Sequence, residues 1–498
     1  MISKRIADYT PQEILSVVSR YSLLINKLGF DSRLFYFNRS RLFLSLTADK
    51  IANQKRSKFT LLLFFITSLI RLIKGIFSSK RIPNVLIVDT REYYGKTLKK
   101  KGFVYDNILL TYLYDYIDWS EIGLLDRFNL PFDDNQFPSQ WYKHIRNIST
   151  RPRLYEEIIL FKYLILHPFS WIKTKKRLTK EFGIIKDRSF DSDTLNTIHR
   201  NFLKYQKSTL FFAWKEEAYL WYFESSGIKK ILILDEYSPN QRSILNASAA
   251  CGIDCIALQH GGIHELHPGY VYGPEERKLN LFPNQFLTWG SSFSEFLKDN
   301  NWPASISEVG HLRTDIIADL KGATKSKSKR VMFASQPHKD ESYTEHTAKM
   351  VFRAFADQND NLEMFVRTHP LEKNVEKYQK WADEVSYKDL SIEAEEDLYV
   401  QLANTDIVIT AFSTVGQEAI YFQIPLITVD YLNRDIASYV KEGIASNVTN
   451  SEDLMEAIKE ELAGSKSYKK EYQKYIDKYA HVIDGKVHDR ILKFLLSE

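Results

Sequence analysis

From residue 229 onward the chain alternates short apolar runs with longer amphipathic stretches, and it does so twice. The stretch "KKILILDEYSPNQRSILNASAACGIDCIALQHGG" (229–262) reads strand, helix, strand and then a glycine-broken loop. "QFLTWG" is a further strand with a helix behind it, and "ISEVGHLRTDII" closes the section. Next comes "KGATKSKSKR" (321–330), small, polar and basic, which has the composition of a linker. The alternation then restarts: "VMFAS", "EMFVRTHP", "DIVIT" and "IPLITVD" are strands separated by helical patterns. Strands and helices alternating at this spacing predict parallel sheets with helices on both faces, the doubly wound α/β architecture. At 498 residues the chain is too long for one ordinary core. The pattern divides it into an N-terminal domain over 1–320, a C-terminal domain over 329–475, and a helical segment over 476–498 as a candidate to cross back to the first domain.

The N-terminal part is less regular. "NVLIVD" (84–89) reads as a strand and "DNILLTYLYDYI" (106–117) as a helix. Residues from about 140 to 223 are aromatic, poor in glycine and helical in pattern, which marks a helical insertion. One apolar segment, "FTLLLFFITSLI" (59–70), continues into "RLIKGIF" and has basic flanks. It falls short of the about 20 residues that a membrane-spanning helix needs. The region 59–77 therefore reads either as a helix lying in the headgroup layer of an anionic membrane or as a buried helix with a basic exposed end.

Charge and cysteine content narrow the function. A net charge of +5 suits a protein that meets phosphate groups or an anionic surface, and is well short of a nucleic-acid footprint. The two cysteines, Cys251 and Cys255, form a lone C-x3-C that lacks the second pair of a zinc site. With no disulfide framework and no signal-peptide pattern, the cytoplasm is the expected compartment, with peripheral attachment to the inner face of the membrane through 59–77.

Polar residues collect where the predicted strands end, and open α/β sheets bind ligands there. In the C-terminal domain these are Ser335 and Gln336 in "ASQPH", Arg367, His369 and Pro370 in "RTHP", and Ser413, Thr414 and Glu418 in "TAFSTVGQEA". A helix starting near Val415 would offer unpaired N–H groups and a positive dipole end to a phosphate. The commoner role of such hydroxyls is to cap the helix. His369, held between strand and proline, is aimed to donate to a phosphate oxygen, with Arg367 on the same strand face. In the N-terminal domain, "LQHGGIHELHPGY" (258–270) carries three histidines and three glycines directly after a core strand.

The "HP" and "S-S/T" pair resembles the paired motifs of bacterial sialyltransferases and capsule Kdo transferases. The "QHG" loop, "FLTWG", "VGHLRTD" and "DGKVHDRI" are similar to those of surface-carbohydrate glycosyltransferases and of CDP-glycerol glycerophosphotransferases of teichoic-acid synthesis. The resemblance runs from about 229 to the C-terminus. It implies the GT-B architecture: two Rossmann-like domains with a deep interdomain cleft. It also implies an inverting, metal-independent transferase that moves a sugar from a nucleotide donor to a growing capsule or lipopolysaccharide glycan, lipid-linked or free. The motif pair leans towards a CMP-linked Kdo or sialic-acid-like sugar. The alternatives are polyol-phosphate transfer from CDP-glycerol, a UDP-sugar 2-epimerase, and a non-catalytic scaffold.

By the same resemblance, His369 and Ser413–Thr414 face the donor phosphates, and Glu418 lies near the ribose or base. His260 corresponds to the reacting-centre histidine of the glycerophosphotransferases, although "QHGG" here departs from their "HGTP". An imidazole of ordinary pKa takes a proton from an acceptor hydroxyl at neutral pH. His260 or His264 is the candidate base, with Glu265 or Asp235 as alternatives. His260, His264 and His267 would share a helical face as metal ligands, but two glycines and "PG" argue against a helix there. The carboxylate pair Asp235–Glu236 is the other conceivable metal motif. No cofactor beyond the nucleotide donor itself is expected.

Overall fold

A computed structural model describes residues 9–47, 58–76, 82–90, 94–99, 102–127, 151–320, 328–336, 341–356, 362–369, 372, 374–393, 397–464 and 469–497, with backbone alone for 58–64, 95–99, 102–105 and 469. Pro370, residues 128–150 and most of the basic stretch 321–330 lie outside the described residues. The chain forms two compact units. One comprises Met1–Thr97, Phe103–Val309 and His488–Glu498; Gly310–Val487 belongs to the other. The changeover falls at Gly310, whose φ of 98° is a backbone conformation that side-chain-bearing residues avoid.

The first unit is built on a seven-stranded parallel sheet. Its strands are β1 (Val85–Thr90), β2 (Ile122–Arg127), β3 (Arg153–Tyr155), β4 (Lys230–Ile233), β5 (Asp254–Leu258), β6 (Gln285–Thr288) and β7 (Ser305–Glu308). They lie in the order β3-β2-β1-β4-β5-β6-β7. Chain order runs outward both ways from β1, so the strand order reverses between β1 and β4, the switch point at which such sheets open a crevice. β1 and β2 are buried along almost their whole length, which is why they read as unbroken apolar runs instead of alternating ones.

Helices clothe this sheet: α1 (Pro11–Lys27), α2 (Lys58–Ile76), α3 (Glu156–Leu166), α4 (Ser170–Ile185), α5 (Asp193–Leu203), α6 (Gln206–Ser226) and α7 (Pro239–Ala250). The helical insertion is thus four helices, α3 to α6, entered directly from β3. The N-terminal residues, which sequence patterns left without a place, pack upon it. Tyr21 of α1 meets Phe190, His199 and Phe202 ring to ring, and its hydroxyl lies 2.8 Å from His199 Nδ1. The helix expected over 106–117 is replaced by a strand, Gly102–Asn107, and one helical turn, Thr111–Tyr114. The Asn107 side-chain oxygen accepts from the amides of Leu109 and Leu110 and closes a turn that competes with the helix.

The second unit repeats the design with six parallel strands: β8 (Lys329–Ala334), β9 (Leu362–Arg367), β10 (Ser391–Ile392), β11 (Ile407–Thr410), β12 (Leu426–Thr428) and β13 (Ser446–Asn447), ordered β10-β9-β8-β11-β12-β13. Its core joins Val331, Phe333, Val351, Phe352, Val366, Trp381, Ile409 and Ile458. The short helix α8 (Val415–Tyr421) follows β11. The last helix, α9 (Val487–Leu496), belongs to the first unit from His488 on. There Lys230 of β4 donates to the carbonyl of Phe494 at 3.1 Å, and Arg490 to that of Val309 at 2.7 Å. Both sheets being parallel and doubly wound, each unit is Rossmann-like and the chain has the GT-B class of fold.

Candidate functional site

β4 and β5 are parallel neighbours, so the residues just past them meet. The backbone N–H of Asp235 donates to His260 Nδ1 at 3.1 Å, and His260 Nε2 lies 3.2 Å from the Tyr237 hydroxyl. A ring nitrogen that accepts from an amide carries no proton, so this network assigns the hydrogen to Nε2, pointing at Tyr237. Burial pushes the imidazole down to about 4 and keeps it neutral at pH 7. His260 is thus arranged as a hydrogen-bond donor. Its Nδ1 lone pair, the one a proton would join, is turned to the Asp235 amide.

The loop "QHGGIHELHPGY" is ordered by its neighbours. Gln259 donates to the carbonyl of Gly261 and accepts from the amide of Trp289, while the Trp289 indole N–H donates to the Gln259 carbonyl at 3.0 Å. The "QHG" and "TWG" motifs are therefore two halves of one clamp. At the far end, buried Arg39 donates to the carbonyls of Pro268 and Val271 and forms an ion pair with buried Glu276 at 2.5 Å. The glycine of "PG" also has a packing cause. A Cβ on Gly269 would lie 2.3 Å from the Tyr237 ring, so only glycine lets that ring sit against His267 and Tyr270.

The four proposed acid–base residues are not all brought together. Buried Asp235 and half-buried His260 adjoin. His264 and Glu265 are exposed on the loop, and His264 Nδ1 accepts from the Leu266 amide at 3.3 Å. His267 is half-buried, its Nδ1 accepting from Gly269, and burial together with the nearby His264 and His260 holds it down to about 4. Among the described residues no group of three or more His, Cys, Asp or Glu is placed to hold a metal ion.

Glu236 is the residue that the sequence reading left without an acid–base role. It is 1% exposed, and neither carboxylate oxygen has a hydrogen-bond partner on another described residue. Burial raises it to about 8; its own amide and Arg242 pull the other way too weakly, and Asp235 adds to the rise. Gln241, on the first turn of α7, is equally buried, and neither of its side-chain amide atoms has a hydrogen-bond partner among the described residues. The signal was present in the sequence: an acidic doublet directly after the apolar run "ILIL".

In the second unit, the loops bearing Ser335, His369 and Ser413 leave three adjacent strands, β8, β9 and β11, at their carboxyl ends. Their side chains are partly committed. Ser335 donates to Glu372 at 3.2 Å, and Gln336 accepts from Thr344 through its carbonyl. Arg367 donates to buried Gln401. The start of α8 departs from the expected open phosphate cradle. Ser413 Oγ accepts from Val415 N, Ser413 O from Gly416 N, Tyr439 Oη from Gln417 N, and Thr414 O from Glu418 N. Those four amides are already taken up inside the chain, and Tyr439, which takes the Gln417 amide, fits over Gly416, where a Cβ would lie 2.7 Å from its ring. Thr414 remains exposed.

Glu418 faces Arg313 at 3.7 Å, and Arg313 also reaches Asp397 at 3.5 Å and covers the Tyr399 ring. Burial raises the Glu418 carboxyl, opposed by Arg313 and Arg367. Arg313, in "VGHLRTD", thus joins two carboxylates, a role that strand-end reasoning passed over. Beside it, burial and the Arg313 charge push His311 down to about 3.

Residues 313–497 match the family model described as CDP-Glycerol:Poly(glycerophosphate) glycerophosphotransferase. Among solved structures, UDP-GlcNAc 2-epimerase from Neisseria meningitidis bound to UDP-GlcNAc is 11% identical with TM-score 0.50, covering 83% of this chain and all of the other. The wall teichoic acid polymerase TagF is 12% identical with TM-score 0.45, over 88% of this chain and 96% of that one. A putative UDP-N-acetylglucosamine 2-epimerase from Listeria monocytogenes is 13% identical with TM-score 0.47, over 82% and 95%. No curated protein matches the chain. The family match over the second unit, on a fold of two Rossmann-like units, makes this chain a transferase of glycosyl or phosphate-linked groups.

Proposed function

We propose that the protein transfers a polyol phosphate from a CDP-linked donor to a hydroxyl of a growing cell-surface polymer. The observation that carries this reading is the family match over 313–497, the stretch that holds Arg313, Arg367, His369, Thr414 and Glu418. The acceptor oxygen attacks the polyol-bearing phosphorus, and a new P–O bond forms. The bridging P–O bond breaks, and CMP leaves with the bonding electron pair. His369, Arg367 and the exposed hydroxyl of Thr414 are the candidate donor contacts. A carboxyl near 8 is ionised in roughly a tenth of molecules at pH 7 and, once ionised, is more basic than an ordinary carboxylate. Glu236 is the candidate to take the acceptor proton, and beside it His260 donates from Nε2 to the Tyr237 hydroxyl. The acceptor class is a hydroxylated surface glycan or polyol polymer, lipid-linked or free, elongated in the cytoplasm.

The "HP" and "S-S/T" motifs support a second reading, sugar transfer from a CMP-linked Kdo-like donor, in which the anomeric C–O bond breaks. A panel of CDP-glycerol, CDP-ribitol, a CMP-linked sugar and UDP-GlcNAc, read out as nucleotide released in the presence of a polyol-phosphate acceptor, separates the readings. Release of CMP from CDP-polyols supports the proposal. Release from the CMP-sugar alone supports the second reading, and acceptor-free turnover of UDP-GlcNAc would make the chain an epimerase.

A further inference from the structure

Helix α2 is built inside out. Over 65–76 its buried positions are Thr67 and Arg71, a polar pair one turn apart. Arg71 donates to Glu157 at 2.7 Å and to Asp126 at 2.9 Å. The outward positions are Phe65, Ile66, Leu69, Ile73 and Ile76, with Phe65 67% and Ile76 55% exposed. At 100° per residue these five fall in one stripe facing away from Thr67 and Arg71, the reverse of a helix that faces water.

The stripe has a neighbour of the same character. α3 packs beside α2 so closely that a Cβ on Gly75 would lie 2.4 Å from Ile158. At the end of α3 and the turn into α4, Phe161, Ile165, Leu166, Phe169 and Ile172 are exposed, Leu166 at 62% and Phe169 at 66%. α4 then turns Thr174, Leu178 and Phe182 inward and leaves Lys173, Lys175, Lys176 and Lys180 exposed. From 158 to 180 the sequence holds no aspartate or glutamate. Isolated apolar surface residues need no explanation, but this many on adjoining helices do.

We propose that this face, formed by the α2 stripe, the α3–α4 turn and the lysines of α4, seats on the headgroup layer of an anionic lipid bilayer. Apolar side chains enter the acyl boundary while lysines meet lipid phosphates, the combination that interfacial helices use. The charge selects this occupant over a second copy of the chain, since a two-fold contact through the same face would bring its lysines against their own counterparts. Among the described residues no helix is long and apolar enough to cross a membrane, so the contact is with one leaflet. The inference goes beyond the donor reading and stands without it.

The test is sedimentation of the full chain with vesicles of phosphatidylcholine alone and of phosphatidylcholine with phosphatidylglycerol, at low and high salt. Preferential binding to the anionic vesicles, weakened by salt, is the expected result. Removing Lys173, Lys175 and Lys176 as serines lowers affinity about a hundredfold, at roughly fivefold per lysine near an anionic surface. The pair Ile165→Glu and Phe169→Glu abolishes binding, with circular dichroism confirming that these exposed substitutions leave the fold intact. Equal binding of the variants and the parent overturns the proposal. So does failure of the parent to bind anionic vesicles, or a dimer in light scattering that Ile165→Glu dissociates.

Discussion

Replacing Glu236 by glutamine should make the protein more stable above pH 5 and, at the same time, slower. The carboxyl is buried without a partner on another described residue and is held at about 8 against an ordinary value of 4.5. In the unfolded chain it ionises near the ordinary value, so between those two pH values the folded state holds a proton that the unfolded state has released. Stability from this group is complete below about pH 4.5 and is lost as pH rises towards 8. At ~1.4 kcal/mol per pH unit, the loss reaches ~3 kcal/mol at pH 7 and ~5 kcal/mol above pH 8. Glutamine has the same shape and no charge, so it does not share this loss. Urea denaturation of parent and Glu236→Gln at half-unit steps from pH 4.5 to 9, followed by tryptophan fluorescence, should give curves that coincide at acid pH and diverge upward. If Glu236 is the base, the variant's turnover falls by about a hundredfold or more and its rise with pH towards 8 disappears. Parallel stability curves would show that Glu236 is ionised in the folded state. The acid–base assignment would then fail.

Other perturbations follow from the same geometry. Gly269→Ala drives a methyl group into the Tyr237 ring and should cost ~1–3 kcal/mol by overpacking, read as a lowered melting temperature, with activity falling as Tyr237 leaves His260. Arg39→Leu strands the buried Glu276 carboxylate and should destabilise by ~3–5 kcal/mol, while adding Glu276→Leu should recover much of the loss in a double-mutant cycle. His260 and His267 are both held near 4, so each favours the fold above its ordinary value of 6.5, and that contribution is lost as pH falls towards 4. His267→Gln should therefore flatten the acid limb of the stability profile. Arg313→Ala should weaken binding of a CDP-linked donor in calorimetry, since it frees Asp397 and Glu418 to repel the phosphates.

Much of the fold was legible because buried parallel strands announce themselves as short β-branched and leucine-rich runs between helical patterns. "VMFA", "IVIT" and "CIAL" each became a central strand. The helix expected over 106–117 failed because Asn107 closes a local turn that apolar periodicity cannot register. The strand-end loops were also readable, since topology fixes which loops share a sheet edge. What each side chain does there was not. The proton position on His260 depends on an amide 25 residues earlier in the chain, and the Gln417 amide at the start of α8 is taken by Tyr439, more than twenty residues later. Glu236 was weighed only as half of a metal motif because an acidic doublet looks alike in sequence whether it faces water or the interior. Arg39 shows the same limit, as nothing near it in sequence points to Glu276.

The measurement that bears most directly on the account is mass analysis of a short polyol-phosphate acceptor after incubation with the full chain and CDP-glycerol. The account predicts products heavier by whole glycerol-phosphate units, with one CMP released per unit added. An acceptor that gains a sugar from a CMP-linked donor, while CDP-glycerol stays intact, would contradict it.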